Sequence, residues 1–285
     1  MSQQSDPSLQ GELSLLHLDP ELTVELLTVS LREEIQKASF SRAVVGVSGG
    51  IDSALSLSLA VRALGKESVL AVFMPFQESA VESHEDAGTL IQQLGVESLT
   101  IDITPQIEAY FSSMKEVSPL RRGNKMARER MSILYDLSSE RQALVVGTTN
   151  RTELLLGYGT LHGDTASAIN PLGDLYKTQV RQLAAYMEVP ESILTKPPSA
   201  DLWEGQTDEQ ELGFLYTDID RLLYYMIDLQ YPLIKLRALR FADAFIEKIS
   251  RRVIGTQYKR CLPIILKVSQ RTMGMDFRYL RDWGS

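Results

Sequence analysis

A chain of 285 residues, 44% of them hydrophobic, can bury roughly three quarters of its unfolded surface in one core, so no disulfide framework or structural metal is required. Thirty-seven acidic residues against 29 basic ones give a net charge of −8, the wrong sign for a protein that lives on bulk nucleic acid or an anionic membrane. One cysteine, Cys261, excludes an internal disulfide and a CxxC zinc or redox site. Without a basic, then apolar, leader or a run of about 18 apolar residues, a cytoplasmic protein is expected.

Residues 1–19 read as a loose N-terminal arm, and no linker divides the remainder, so a single domain over 1–285 is expected. Leu27, Leu31, Ile35 and Ala38 form the apolar stripe of a helix over 20–39. Residues 42–47 are a β-branched run that ends in Ser-Gly-Gly, followed by a helix from Asp52 to about Leu64. Strand signals return at 68–73, 98–103 and 143–148, with helical stretches at 80–94 and 126–140 between them. This alternation predicts an α/β fold, a doubly wound, Rossmann-like parallel sheet. Ligands of such sheets sit beyond the carboxyl ends of the strands. Two segments fall there, Ser48 to Ser53 after the first strand and Thr148 to Glu153 after the fourth, so they should face one cleft.

The octet Gly46-Val47-Ser48-Gly49-Gly50-Ile51-Asp52-Ser53 places two glycines where a strand turns at once into a helix. Glycine permits positive φ and the close backbone approach a phosphate requires. The helix start directs N–H groups and partial positive charge at the same point, which is how an acidic chain can hold a phosphate locally. An aspartate in such a loop repels an anion unless it binds a cation that bridges the phosphates, so Asp52 implies magnesium. An isolated Gly-Gly is more often only a turn. The octet lacks the Walker lysine and is not GxGxxG.

In this octet the chain resembles the ATP pyrophosphatases, whose SGGxDS loop holds the pyrophosphate released when an acid is adenylated. The resemblance implies a five-stranded sheet of order 3-2-1-4-5 with additional C-terminal helices. From residue 40 to 285 the chain is similar more narrowly to NAD synthetases. That resemblance implies ATP-dependent amidation of deamido-NAD by ammonia through an acyl-adenylate, with ATP and magnesium required. In GNKMARERM (123–131) it assigns Asn124 and Arg128 to deamido-NAD. In GTTNRTELLLGYGTLHGD (147–164) it assigns Thr148 to ATP and Glu153, with Asp52, to magnesium. Tyr158, Gly159, Thr160 and Leu161 would contact the nicotinate end through the backbone. Lys177, in INPLGDLYKTQV (169–180), is placed on the ATP phosphates as a catalytic charge. The Pro-, Gly- and charge-rich stretch 195–212 reads as a mobile lid. It carries Ser199 as an ATP contact with Lys196 assisting, and Asp208 and Glu209 read equally as caps of the next helix. Tyr258 and Lys259, in Tyr-Lys-Arg near the C-terminus, match a deamido-NAD contact.

Leu161 and Ala168 stand where many ammonia-dependent members have a lysine and an aspartate, so the assignment stops at those two positions. Asp164 is the candidate base for ammonium. A homodimer is implied, and a separate glutaminase partner is left open because no nitrilase-like half with its cysteine nucleophile precedes the synthetase sequence. Two other readings stay open at this point: an ATP pyrophosphatase that amidates another carboxylate, and a nucleotide-binding module without turnover. With three scattered histidines, neither a Ser-His-Asp triad nor a zinc cluster can be built.

Overall fold

A computed structural model describes residues 14–77, 81–198, 208–261 and 265–272. Helix α1 (Pro20–Lys37) leads into strand β1 (Ala43–Val47) and helix α2 (Ile51–Leu64). Then come β2 (Val69–Phe73), α3 (Val81–Leu94), β3 (Glu97–Thr100), α4 (Thr104–Phe111), α5 (Pro119–Arg141) and β4 (Leu144–Val146). Short α6 (Arg151–Leu156) and α7 (Lys177–Tyr186) follow, with α8 (Glu191–Thr195). The C-terminal part is helical: α9 (Asp208–Leu212), α10 (Tyr216–Leu223), a π-helical turn at Tyr224–Asp228, α11 (Leu233–Ala238) and α12 (Asp243–Gly255).

The sheet is parallel, in the order β3-β2-β1-β4. The fifth place is taken not by a strand but by one parallel bridge, Val146 to Ile169. Gly147 N–H donates to the Ile169 carbonyl at 2.7 Å, and Pro171, which has no N–H to offer, follows after Asn170. The expected strand order therefore holds, with its last member shortened to a contact.

Alternation along β1 sorts the layers. Ala43, Val45 and Val47 face α1, α2 and α7, in one cluster with Leu31, Leu57 and Leu183. Val44 faces the other way, with Ile107 and Phe111 of α4 and Met126 and Leu134 of α5. A third cluster joins Leu156, Tyr176, Ile219, Leu222 and Phe245, so the C-terminal helices pack on the end of the sheet layer that carries α6 and α7. No described helix is long and apolar enough to cross a membrane.

Helix α1 buries Leu31 and Ile35 of the expected stripe and extends it toward its start through Val24 and Thr28. Val24, Thr28, Leu31 and Ile35 are buried, Leu27 is half-buried, and Ala38 is an exposed C-cap. Asp19, rather than an apolar residue, sets its start by accepting the Leu22 N–H at 3.1 Å ahead of Pro20. Of the stretch read as a loose arm, Ser14–Leu16 form a short 3-10 helix and Leu18 packs against the core, while Leu15 and His17 stay exposed. Leu16 is buried, and its carbonyl accepts from Gln182 at 3.1 Å.

Candidate functional site

The turn after β1 is built for close approach. Gly49 has φ +78°, and a Cβ there would collide with the Ser83 carbonyl oxygen at the start of α3. The Ser53 hydroxyl is the hub of the loop. It accepts the Ser48 N–H at 3.1 Å, lies 3.1 Å from Ser48 Oγ and donates to the Gly50 carbonyl at 2.9 Å. Gly50 N–H donates to Ser48 Oγ at 3.2 Å. The turn is thus pre-shaped, and the first-turn N–H groups of α2 have no acceptor within their own helix. Gly46, Val47 and Ile51 frame it from β1 and from the first turn of α2.

Two acids 101 residues apart in the sequence meet beside this turn. Lys177 Nζ donates to Asp52 Oδ2 at 2.5 Å and reaches Glu153 Oε1 at 3.4 Å. The lysine side chain is 3% exposed, while the carboxylates of Asp52 and Glu153 keep 18% and 15% exposure. Asp52 and Glu153 thus meet at one ammonium, on the side of the sheet to which their places after β1 and β4 bring them. Asn150 completes the junction. Its Nδ2 donates to Asp52 Oδ1 at 2.8 Å, and its Oδ1 accepts the Glu153 N–H at 3.0 Å. Glu153 Oε2 accepts the Asn150 N–H at 3.1 Å, closing a reciprocal capping box at the start of α6. The cap that starts the helix also aims Glu153.

Burial and the Asp52 charge push the Glu153 carboxyl up to about 8, and Lys177 opposes them. Burial pulls the Lys177 ammonium down, but Asp52 and Glu153 more than reverse it and hold it above its ordinary value. Asp208 adds a further negative charge nearby, felt by both groups. Among the described residues no group of three or more His, Cys, Asp and Glu is arranged to hold a metal. The donor set nonetheless suits magnesium, a hard cation held by one or two carboxylates together with substrate phosphates rather than by a protein cage.

The residues assigned to deamido-NAD gather around the loop from Gly157 to Asp164. Thr160 Oγ1 donates to Asn124 Oδ1 at 2.8 Å. Arg128 Nε donates to the Leu161 carbonyl at 3.1 Å, and Lys259 Nζ to the carbonyls of Gly157 and Gly159, both at 2.8 Å. Asp164 Oδ1 accepts the Thr160 N–H at 2.9 Å. The dense surroundings raise the Asp164 carboxyl above its ordinary value, although part of the side chain is open to solvent. Tyr258 is exposed. Thr148, half-buried, lies two residues past the end of β4. Leu161 is half-buried and Ala168 exposed.

Ser199 and the middle of the expected lid lie outside the described residues. At the near flank, Lys196 Nζ donates to Ser83 Oγ and Asp86 Oδ2, both at 3.0 Å, on the helix that backs Gly49. At the far flank, Asp208 is buried. Its two oxygens lie 3.0 Å from the Tyr158 hydroxyl and 3.1 Å from that of Tyr216. Lys177 Nζ stands 5.3 Å from the centre of the Tyr216 ring, within cation–π range.

Sequence reasoning missed Asn150 and left Asp208 as a helix cap. Asn three residues before Glu was the available signal for the first. Nothing local marks the second, because a carboxylate destined for burial reads like any other near a helix start.

A family model described as NAD synthase matches residues 23–263. A protein named NH(3)-dependent NAD(+) synthetase from Pelodictyon phaeoclathratiforme is 52% identical over 268 residues, 94% of this chain and 97% of that protein. Among solved structures, an NH3-dependent NAD synthetase from Campylobacter jejuni, in complex with the nitrate ion, aligns with TM-score 0.76 and 33% identity over 88% of this chain and all of that one. An NMN synthetase from Francisella tularensis aligns with TM-score 0.79 and 34% identity, over 88% of this chain and 99% of its own. Matched along most of its length in sequence and in fold, the chain is an enzyme of NAD biosynthesis and belongs to the NAD synthase family.

Proposed function

We propose that this chain amidates deamido-NAD with ammonia at the expense of ATP, through an acyl-adenylate, giving NAD, AMP and pyrophosphate. The observation that carries the reading is the convergence of Asp52, Glu153 and Lys177 beside the Gly46 to Ser53 turn. A carboxylate is a poor electrophile, because its charge repels nucleophiles and oxide is a poor leaving group. In the first step a nicotinate carboxylate oxygen bonds to the α-phosphorus and pyrophosphate departs. In the second, ammonia bonds to the carbonyl carbon, AMP departs and one proton is released.

The turn and the α2 N-terminus cradle the departing pyrophosphate. Lys177 offsets the charge that develops there. Asp52 and Glu153 would hold magnesium, which when bound neutralises phosphate charge. Thr148 and Ser199 would contact ATP, while Asn124, Arg128, Tyr258, Lys259 and the backbone from Tyr158 to Leu161 would receive the dinucleotide. Asp164, raised above an ordinary carboxylate, is the better base for that reason and takes a proton from ammonium. The segment 195–212 would act as a lid that excludes water from the acyl-adenylate. The whole chain would work as one domain in a cytoplasmic homodimer.

A second reading follows from the Francisella neighbour named NMN synthetase and from Leu161 and Ala168. The acid amidated would then be nicotinate mononucleotide. One assay separates the readings. The chain is supplied with ATP, magnesium and ammonium and with either the dinucleotide or the mononucleotide acid, and NAD, NMN and pyrophosphate are measured. Preferred turnover of the dinucleotide upholds the first reading, and preferred turnover of the mononucleotide replaces it with the second. Failure to form either amide would sink both.

A further inference from the structure

The most deeply buried carboxylate near the site is one the mechanism does not use. Asp220, on α10, is 0% exposed. Its Oδ1 accepts the Thr152 hydroxyl at 2.6 Å, and its Oδ2 accepts the Thr178 N–H at 2.8 Å. The Thr152 oxygen in turn accepts the Lys177 N–H at 3.0 Å. Thr152 precedes Glu153 in α6, and Lys177 and Thr178 open the ten-residue helix α7. One carboxylate therefore ties the first turn of α7 to α6, with each tie one residue from a group of the candidate centre.

A buried carboxylate is costly unless hydrogen-bonded, and here both oxygens are served by donors at a helix start, where negative charge is favoured. Lys177 and Glu153 sit on two separate short helices, and the sequence between them, 157–176, is mostly turn and loop. Such helices drift unless something fixes their spacing. Core packing alone does not fix an ammonium relative to a carboxylate to the few tenths of an ångström that electrostatic catalysis requires.

We infer that Asp220, acting through Thr152, is a positioning residue that sets the Lys177 ammonium against Glu153 and Asp52 for the adenylation step. The inference rests on the reading of Lys177 as the charge that meets the departing pyrophosphate. It makes α10, the helix beyond the far flank of the expected lid, part of the catalytic framework.

The test compares Thr152→Val, Thr152→Ser, Asp220→Asn and Lys177→Met in the full-length chain, with magnesium, ATP, ammonium and the nicotinate acid. Valine keeps the shape of threonine but neither donates nor accepts. Thr152→Val is expected to lower kcat roughly ten- to a hundredfold with KM for ATP within about twofold, and Thr152→Ser to restore most of the rate. Asp220→Asn should give a smaller loss of the same kind. If Thr152→Val does not fold, Asp220→Asn carries the test. A fall in melting temperature with kcat per folded molecule unchanged would reduce Asp220 to scaffold and overturn the inference, as would a rise in KM alone. Lys177→Met, which removes the charge, separates the two layers when rates are compared per folded molecule. If it keeps full activity, the role given to Lys177 fails; if it is inactive while the Thr152 and Asp220 variants are fully active, only the positioning role fails.

Discussion

At the scale of single residues, burial and Asp52 push the Glu153 carboxyl up to about 8 from an ordinary 4.5. The folded chain thus holds this proton more tightly than the unfolded one. The stability this group contributes falls as pH rises from about 4.5 to about 8, and the penalty is complete above that. Glu153→Gln keeps an acceptor for the capping box and removes the charge. It should raise the melting temperature of the ligand-free protein by several degrees at pH 8 and much less near pH 5, while NAD formation falls roughly a hundredfold or more. An unaltered pH slope in thermal melts would show that Glu153 does not titrate there. Lys177→Met has the opposite effect on stability, because it leaves the Asp52 carboxylate without the cation that pairs with it. A loss of about 3–5 kcal/mol is expected in denaturant unfolding, and full stability would mean that the ion cluster is solvated. The Asp52 turn was legible because glycines, hydroxyls and one acid in that spacing have a single economical explanation. The place of Glu153 followed from its position past a strand end. Lys177 was legible only by resemblance, and Asp220 not at all, since sequence does not distinguish an acid folded inward from one left in water.

At the scale of elements, the strand–turn–helix at residues 43–64 couples fold to chemistry most tightly. Gly49 adopts positive φ and lies against the Ser83 carbonyl. Gly49→Ala therefore meets a left-handed penalty of about 1–2 kcal/mol and a backbone collision that only a shift of the turn or of α3 can relieve. ATP binding measured by calorimetry should weaken at least about tenfold. Unchanged ATP affinity would show that the turn is not the anion site. The strands and the helices over 51–64 and 81–94 were readable because their apolar runs are bounded by glycines. Helix α4 was not read at all, being only eight residues long and followed by polar turns. Helix α1 was read on the right face at Leu31 and Ile35, which are buried, and at Leu27, which is half-buried; only Ala38 fell outside, because the helix ends at Lys37 and leaves it an exposed cap. The fifth strand was expected by resemblance and shrank to a bridge where Asn170-Pro171 stops pairing.

At the scale of the whole molecule, the sheet with its two covering layers and the C-terminal helical cluster are joined largely across α6 and α7, which also carry Glu153 and Lys177. The segment after α12 is sewn back onto this seam. Arg260 donates to the carbonyls of Leu154 at 3.1 Å and Leu155 at 2.8 Å, at the end of α6, and to the Val253 carbonyl at 2.5 Å in α12. Arg252 adds a bond to the Leu156 carbonyl at 3.0 Å. Carbonyls at a helix end lack intrahelical donors, and a guanidinium answers several at once while meeting the negative end of the helix. If this seam makes the sheet and the C-terminal cluster one cooperative unit, Arg260→Ala should lower stability by about 2–3 kcal/mol. In urea the midpoint would move with the slope unchanged. A shallower slope or two separated transitions would mean that the C-terminal cluster unfolds by itself. The site would then lie across a hinge between two units rather than inside one, and NAD formation in Arg260→Ala would fall well before the sheet unfolds.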